Sequence, residues 1–304
     1  MTGLWARGAG WAERSAAGIG GLLLTASVAA HEYWLDPLDA TPDAGGLLLV
    51  DIRNGEDFSG SSFPYDPRRM QRVELVGPNE VIDVEGRLGD FPAFRIPVGN
   101  AGPYMLLVET GAQPLVYDTL ADFTTFLDYH GVSGILERHV ERGLAETEIR
   151  ERYYRYAKTL VYAGERTEGV EEHSSAVFAS LGTRLEIVAG NDPANDVAID
   201  LILLFDGYPL ADSQAEIFLR KADGTVSRRI GRSDSDGKLA FAIDEPGKYL
   251  VNAVRVVEPS VTTTEEATGD APHRAEESKS AESRQPALAP QWESHWASLT
   301  FEKS

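Results

Sequence analysis

The chain has 304 residues, with 28 basic against 48 acidic side chains, a formal net charge of −20 and no cysteine. That balance repels nucleic acid and anionic membrane surfaces, and the missing thiols exclude both a disulfide framework and a thiolate metal site. Any metal must be held by nitrogen and oxygen, and the length suffices for one large or two ordinary domains.

The chain opens with the parts of a secretory signal. Arg7 and Arg14 precede an apolar run from Ala16 to Ala30, with small residues Val28 and Ala30 where a signal peptidase reads. The run is too short for a permanent span and is broken by Gly18, Gly20 and Gly21, so the expectation is cleavage after Ala30 and export to the periplasm. No later apolar run reaches the length of a span, so the mature chain is expected to have none.

Residues 31–118 then read as an antiparallel sandwich. The runs LLLVDIR, MQRVELV, AFRIPV and YMLLVET are separated by the turn signals Asn54-Gly55, Gly77-Pro78-Asn79 and Gly99-Asn100. Over 119–165 the apolar period changes from two to about 3.6. Phe123, Phe126 and Leu127 form one stripe, and Ile149, Tyr153, Tyr156, Ala157 and Leu160 a longer one, which predicts a block of two or three helices. Strand reading returns over 166–304 with LEIVAG, AIDLILLF, AEIFLRK, KLAFAI and KYLVNAVRVV, punctuated by Asp-Gly hairpin signals. Residues 258–290 lack aromatic side chains and predict a disordered loop, after which WESHWASLTFEK alternates as a final strand. The expected fold is mainly β: two antiparallel sandwiches, Ig-like or transthyretin-like, joined by a short helical block.

The chemistry must come from six histidines and many carboxylates. Cleavage after Ala30 would leave His31 as the amino terminus, offering an amine and a ring nitrogen that close a chelate on one cation. Such a pair suits nickel, cobalt, copper and zinc better than calcium or magnesium. A histidine left there by chance is the plain alternative. His173, after Glu171 and Glu172, is the candidate third ligand, and Glu32 the carboxylate that completes the shell. His130 and His139 lack the one-turn spacing of a helical metal pair and read as surface residues. His295 reads as a partly buried structural histidine.

Other motifs fail on inspection. Aligning Asp234-Ser235-Asp236-Gly237 with a calcium loop puts Arg232 and Ile243 at ligand positions, so it is a hairpin turn. No Gly-x-Ser-x-Gly elbow surrounds Ser174 and Ser175, and no phosphate-binding loop or dinucleotide fingerprint is present. These absences point to a binding protein and not an enzyme.

Several segments together resemble a bacterial family of exported proteins of unknown function, associated with the periplasmic side of cobalt or nickel uptake systems. They are HEYWLDP after the signal, FTTFLDYHGVSGILERHVERG with RERYYRYAKTLVYAG, GTRLEIVAGNDP, LLFDGYPLADSQAEIF and SDSDGKLAFAIDEPGKYLVNA. The resemblance implies two β-rich domains joined through a helical element, export, and delivery of a transition metal to an inner-membrane transporter. Only His31 sits within a matching motif. His130 departs from the pattern, which would place an acid there, and the long 258–290 loop replaces a compact hairpin. The expected function is therefore a periplasmic protein binding nickel, cobalt or copper through His31, His173 and Glu32. The alternative is an envelope carbohydrate-binding or adhesion module in which Trp34, Trp292 and Trp296 contact a glycan. An oxidative enzyme with copper at an amino-terminal histidine has nothing beyond His31 behind it.

Overall fold

The computed structural model describes residues 31–164, 176–259 and 289–304. The first sandwich segment contains β1 (Glu32–Pro37), β2 (Leu47–Glu56), β3 (Ser59–Phe63), β4 (Met70–Val76), β5 (Val81–Asp83), β6 (Phe94–Pro97), β7 (Gly102–Thr110) and β8 (Gln113–Thr119). Two helices, α1 (Leu120–Tyr129) and α2 (Ile135–Glu141), precede β9 (Thr147–Ala163). There follow β10 (Leu185–Ala189), β11 (Ala198–Phe205), β12 (Tyr208–Pro209), β13 (Gln214–Arg220), β14 (Val226–Arg232), β15 (Lys238–Ala242), β16 (Gly247–Val257) and β17 (Trp292–Lys303). The expected signal segment and most of the expected 258–290 loop lie outside the described residues.

The protein is mainly β, as the alternation predicts. A nine-stranded sheet runs β14-β13-β16-β17-β9-β7-β4-β5, with β8 also on β9. Two four-stranded sheets pack on it: β1-β2-β3 with β6 on β2, and β10-β11-β12 with β15 on β11. One core lies between β1, β2, β6 and the β4-β7-β9 region, built on Leu35, Val50, Phe94, Leu106 and Val161. The other lies between the β10-β11-β15 sheet and β13, β16 and β17, built on Ile187, Leu201, Ile217, Val251 and Leu299. A third cluster seats α1 on the nine-stranded sheet through Phe123 and Phe126 against Trp292 and Trp296. Helix α1 starts at a capping box: Thr119 Oγ1 accepts from the Asp122 N–H at 3.2 Å and Asp122 accepts from the Thr119 N–H.

Residues 147–163 correct the helical expectation. They form one 17-residue strand whose alternate residues enter different cores. Ala157, Val161 and Ala163 belong to the first core, and Tyr156, Leu160 and Tyr162 to the second. A strand buried on both faces does not show a polar side. Its scattered apolar residues therefore mimic a helical stripe.

The first hairpin also differs from its turn signal. Asn54 and Gly55 remain in β2, and the two-residue turn falls at Asp57 and Phe58, with φ of 51° and 57°. Gly55 faces Gly60 across the pair, where a Cβ would come within 2.0 Å of the Ser59 carbonyl oxygen. A left-handed non-glycine residue costs about 1–2 kcal/mol, and Phe58 meets that cost by burial: it is 1% exposed and packs edge-on to Trp34 with centroids 5.4 Å apart. At Asp206-Gly207, in contrast, the expected hairpin turn is present, with φ of 52° and 79°. Asp234 Oδ1 accepts from the N–H groups of Asp236 and Lys238 at 2.9 and 2.8 Å, the geometry of a turn.

Trp34 is fully buried between β1, Phe58, Phe218 and Leu250. Trp34→Ala is expected to lower stability by about 3–5 kcal/mol, read as a fall in the denaturant midpoint with an unchanged slope.

Candidate functional site

Strand β1 lies over β9 and β17, and its Glu32, Trp34 and Asp36 side chains reach β13 and β16 on the face away from the second core. Asp36 meets Arg220, Trp34 meets Phe218, and Glu32 lies in the field of Glu216. The three positions are chemically unlike.

At the Asp36 end the charges match. Its carboxylate accepts from Lys248 Nζ at 2.8 Å, Arg220 Nη2 at 3.0 Å and Arg53 Nη1 at 3.1 Å. Burial by itself would raise this carboxyl, but Lys248 and Arg220 outweigh it and hold Asp36 below the usual carboxylate range. In the middle, Trp34, Phe218 and Leu250 make an apolar contact, with the Arg220 guanidinium over Phe58 at 4.3 Å.

At the Glu32 end the charges do not match. Glu32 is 1% exposed and its Oε2 has no hydrogen-bond partner. Burial first, and then the neighbouring carboxylates of Glu216, Asp57 and Glu56, push its carboxyl up to about 8. Glu216 cannot relieve it, because its own oxygens are engaged. Oε1 accepts from Arg228 Nη2 at 2.7 Å and Gln214 Nε2 at 3.1 Å and lies 3.3 Å from His130 Nδ1; Oε2 accepts from Asn252 Nδ2 at 3.3 Å. Burial would raise Glu216, yet His130 and Arg228 together hold it below its ordinary value. Tyr129 closes the site: its hydroxyl donates to Asp57 Oδ1 at 3.0 Å while Arg228 lies 4.1 Å over its ring.

Of the sequence-predicted ligands, His31 stands immediately before β1, partly buried, and Glu32 follows it as the first residue of the strand. His173 lies outside the described residues. Among the described residues no group of three or more His, Asp and Glu side chains is arranged to hold a metal ion. At the start of β1, His31 is thus followed in sequence by a buried Glu32 whose Oε2 has no partner.

The other described histidines, His130, His139 and His295, have structural partners, and two of them correct the expectation of surface positions. His130 is 5% exposed at the end of α1, against the Trp296 ring at 4.7 Å and the Glu216 carboxylate. His139 is 1% exposed; its Nδ1 accepts from Trp292 Nε1 at 3.1 Å, so Nε2 carries the proton donated to the Ala145 carbonyl at 2.9 Å. Both lie on helix faces turned into the aromatic cluster above β17, which spacing alone does not reveal. His295 is fully buried, stacked on Tyr154 at 5.1 Å. Arg184 Nη1 lies 3.1 Å from its Nε2, so that nitrogen accepts, and Nδ1–H faces the Tyr156 hydroxyl at 3.1 Å. Burial, with Arg184 and Arg152 nearby, pushes its pKa down to about 3.

Glu216 and Arg228 were not singled out from the sequence. The signal for Glu216 was available: it is a lone charge inside the apolar run AEIFL, at a position whose neighbours are all buried.

These layers define a β-sandwich-type protein with a polar seam where its first strand meets the central sheet. The chain belongs to the family described as a domain of unknown function, DUF4198, whose model matches residues 28–256. No curated protein matches it. Among solved structures, the tetra-tandem repeat in the extending region of a large adhesion protein is 10% identical with a TM-score of 0.20. That match covers 74% of this chain but 45% of the adhesion chain, so this chain spans under half its length. The D0-D1 domain of intimin is 11% identical with a TM-score of 0.17, covering 73% of this chain and 89% of that one.

Two pH dependences follow. The raised Glu32 carboxyl means that the folded state holds a proton the unfolded chain releases, so Glu32 costs stability as pH rises from about 4.5 through about 8. Glu32→Gln is expected to be more stable than wild type by about 2 kcal/mol at pH 9, with the gap closing towards pH 5 in thermal melts. His295 has the opposite sign: its pKa is lowered from 6.5 to about 3, so the unfolded chain binds the proton first and stability falls as pH drops through that window. His295→Gln should be less stable at pH 7 yet show a flatter decline between those pH values.

Proposed function

We propose that this chain is an exported, non-enzymatic binding protein that takes a divalent transition metal, nickel, cobalt or copper, as cargo at the start of β1. The observation that carries this reading is the mismatch in the β1 row: one end pairs a carboxylate with three cations, while the other buries Glu32 among carboxylates with an oxygen left unpartnered. A buried carboxyl in that position is either protonated or answered by a cation. His31 adjoins it, and cleavage after Ala30 adds a terminal amine. The ring and amine nitrogens with the Glu32 carboxylate form a donor set suited to these metals. His173 is the proposed further ligand.

Delivery to an inner-membrane uptake transporter follows from the family resemblance and is part of the proposal. No described helix is long and apolar enough to cross a membrane. The glycan alternative draws less support, because Trp34, Trp292 and Trp296 are at most 2% exposed.

The test is calorimetric titration of the exported protein with nickel, cobalt and copper, after terminal sequencing has located its first residue. Binding is expected with proton release at pH 7, since metal displaces the Glu32 proton. Glu32→Gln, and one extra residue before His31, should each weaken it about tenfold or more. Equal binding by the extended chain and by Glu32→Gln, or no binding of any of the three metals, overturns the proposal.

A further inference from the structure

The opposite side of β1 borders a second feature, unrelated to the His31 end. Tyr33, between Glu32 and Trp34, turns toward the first core and lines a cavity of about 240 Å³ together with Phe63, Met70, Arg69, Tyr153 and Arg155. Arg155 is 8% exposed and forms no ion pair with a carboxylate among the described residues. Its Nη1 donates to Asn54 Oδ1 at 3.1 Å, its backbone N–H donates to Thr110 Oγ1 at 3.1 Å, and its Nε has no partner. The guanidinium is held between two aromatic faces, 4.8 Å from the Tyr153 ring and 5.1 Å from the Tyr33 ring. The Tyr33 hydroxyl is also buried without a partner.

A buried cation without a counter-ion is costly unless something charged or strongly polar meets it. The protein supplies little. Glu151, four residues back on β9, is buried and already accepts from Tyr117 and Ser294; burial pushes its carboxyl up to about 7, so it is a poor counter-charge near neutral pH. Asp66 also lines the cavity, but Arg68 holds both of its oxygens at 2.9 Å. Arg69 at the rim also pairs with Asp66, at 3.9 Å, and so leaves Asp66 no freer for Arg155. Arg155 is thus the charge in this cavity that no described carboxylate pairs with, and the rest of the wall combines the polar Asn54, Thr110 and Gln113 with the apolar and aromatic Ile52, Phe63, Met70, Tyr33 and Tyr153.

We infer that this cavity is a binding site for a small carboxylate with a flat apolar body, the carboxylate meeting Arg155 and the body lying among Tyr33, Tyr153, Phe63 and Met70. A guanidinium pairs with a planar carboxylate through directed N–H donors, which a lysine ammonium does not reproduce. Phe63, Met70 and the cavity-facing parts of Tyr33 and Tyr153 supply aromatic and apolar surface for the ligand's body. Inorganic phosphate lacks the body that the apolar wall would cover.

The test is titration of the full exported protein with benzoate, read by calorimetry and by the thermal midpoint, with benzyl alcohol and inorganic phosphate as comparators. Benzoate is expected to bind at one site and raise the midpoint, and the comparators to do neither at equal concentration. Arg155→Lys should weaken benzoate about tenfold or more. Because Arg155 sits in the central strand and its replacement can impair folding, Phe63→Ser provides a second variant: Phe63 is 41% exposed, and its loss should weaken benzoate about threefold while sparing the fold. Glu32→Gln should leave benzoate binding unchanged, which separates this site from the metal proposal. No benzoate binding, equal binding of benzyl alcohol, or unchanged affinity in both Arg155→Lys and Phe63→Ser overturns the inference. Preferential binding of phosphate does so too.

Discussion

Strand β9 is the constraint on which the rest of the structure depends. One edge pairs in parallel with β17, and the other pairs antiparallel first with β8 and then with β7. Three segments distant in sequence are thereby held in one sheet. Because both faces of β9 are buried, the same strand fills two cores, and a charge placed on it must be met inside the protein. Lys158 is met by Glu186 at 2.8 Å, an ion pair that also joins β9 to the sheet built on β10. Burial favours the neutral lysine and outweighs the pull of Glu186 on it, whereas Lys158 and the backbone N–H of Leu181 help hold Glu186 below its ordinary value. Arg155 lies on the opposite face and is met by no carboxylate among the described residues, and that difference marks it.

Strand β1 repeats the arrangement at a smaller scale. Tyr33 and Leu35 serve one side and Glu32, Trp34 and Asp36 the other, and Thr300 Oγ1 donates to the Leu35 carbonyl at 2.7 Å to fix the strand on β17. The apolar middle of the row sets the register: with Trp34 between Phe58, Phe218 and Leu250, Asp36 falls among its cations and Glu32 beside Glu216. The well-matched end stabilises the docking that forces the ill-matched one. Both features that carry functional readings, the Glu32 carboxyl and the Arg155 cavity, therefore flank a single strand whose placement is settled by a tryptophan.

The helices serve this arrangement indirectly. They cover the end of the central sheet not covered by β1 to β3, and they place His130 on Glu216. His130, Arg228 and Asn252 keep Glu216 charged in a buried position, and that charge is part of what raises Glu32.

Period-two alternation in MQRVELV, YMLLVET, AEIFLRK and WESHWASLTFEK was legible because each strand's backbone alone dictates that successive side chains leave on opposite faces. The mainly β class and the hairpin at Asp206-Gly207 were legible for the same reason: each depends on residues a few positions apart. His31 and Glu32 stood out as a local motif, but the burial of Glu32 did not. Strand β9 was misread because burial on both faces erases the polar side that distinguishes a strand from a helix, and the first turn was misplaced because Phe58 packs on Trp34. The partners that distinguish Glu32, Glu216 and Arg155 lie up to 184 residues away, and only the tertiary structure decided them, since a pKa shift or an unpaired charge belongs to the surroundings of a side chain and not to its identity.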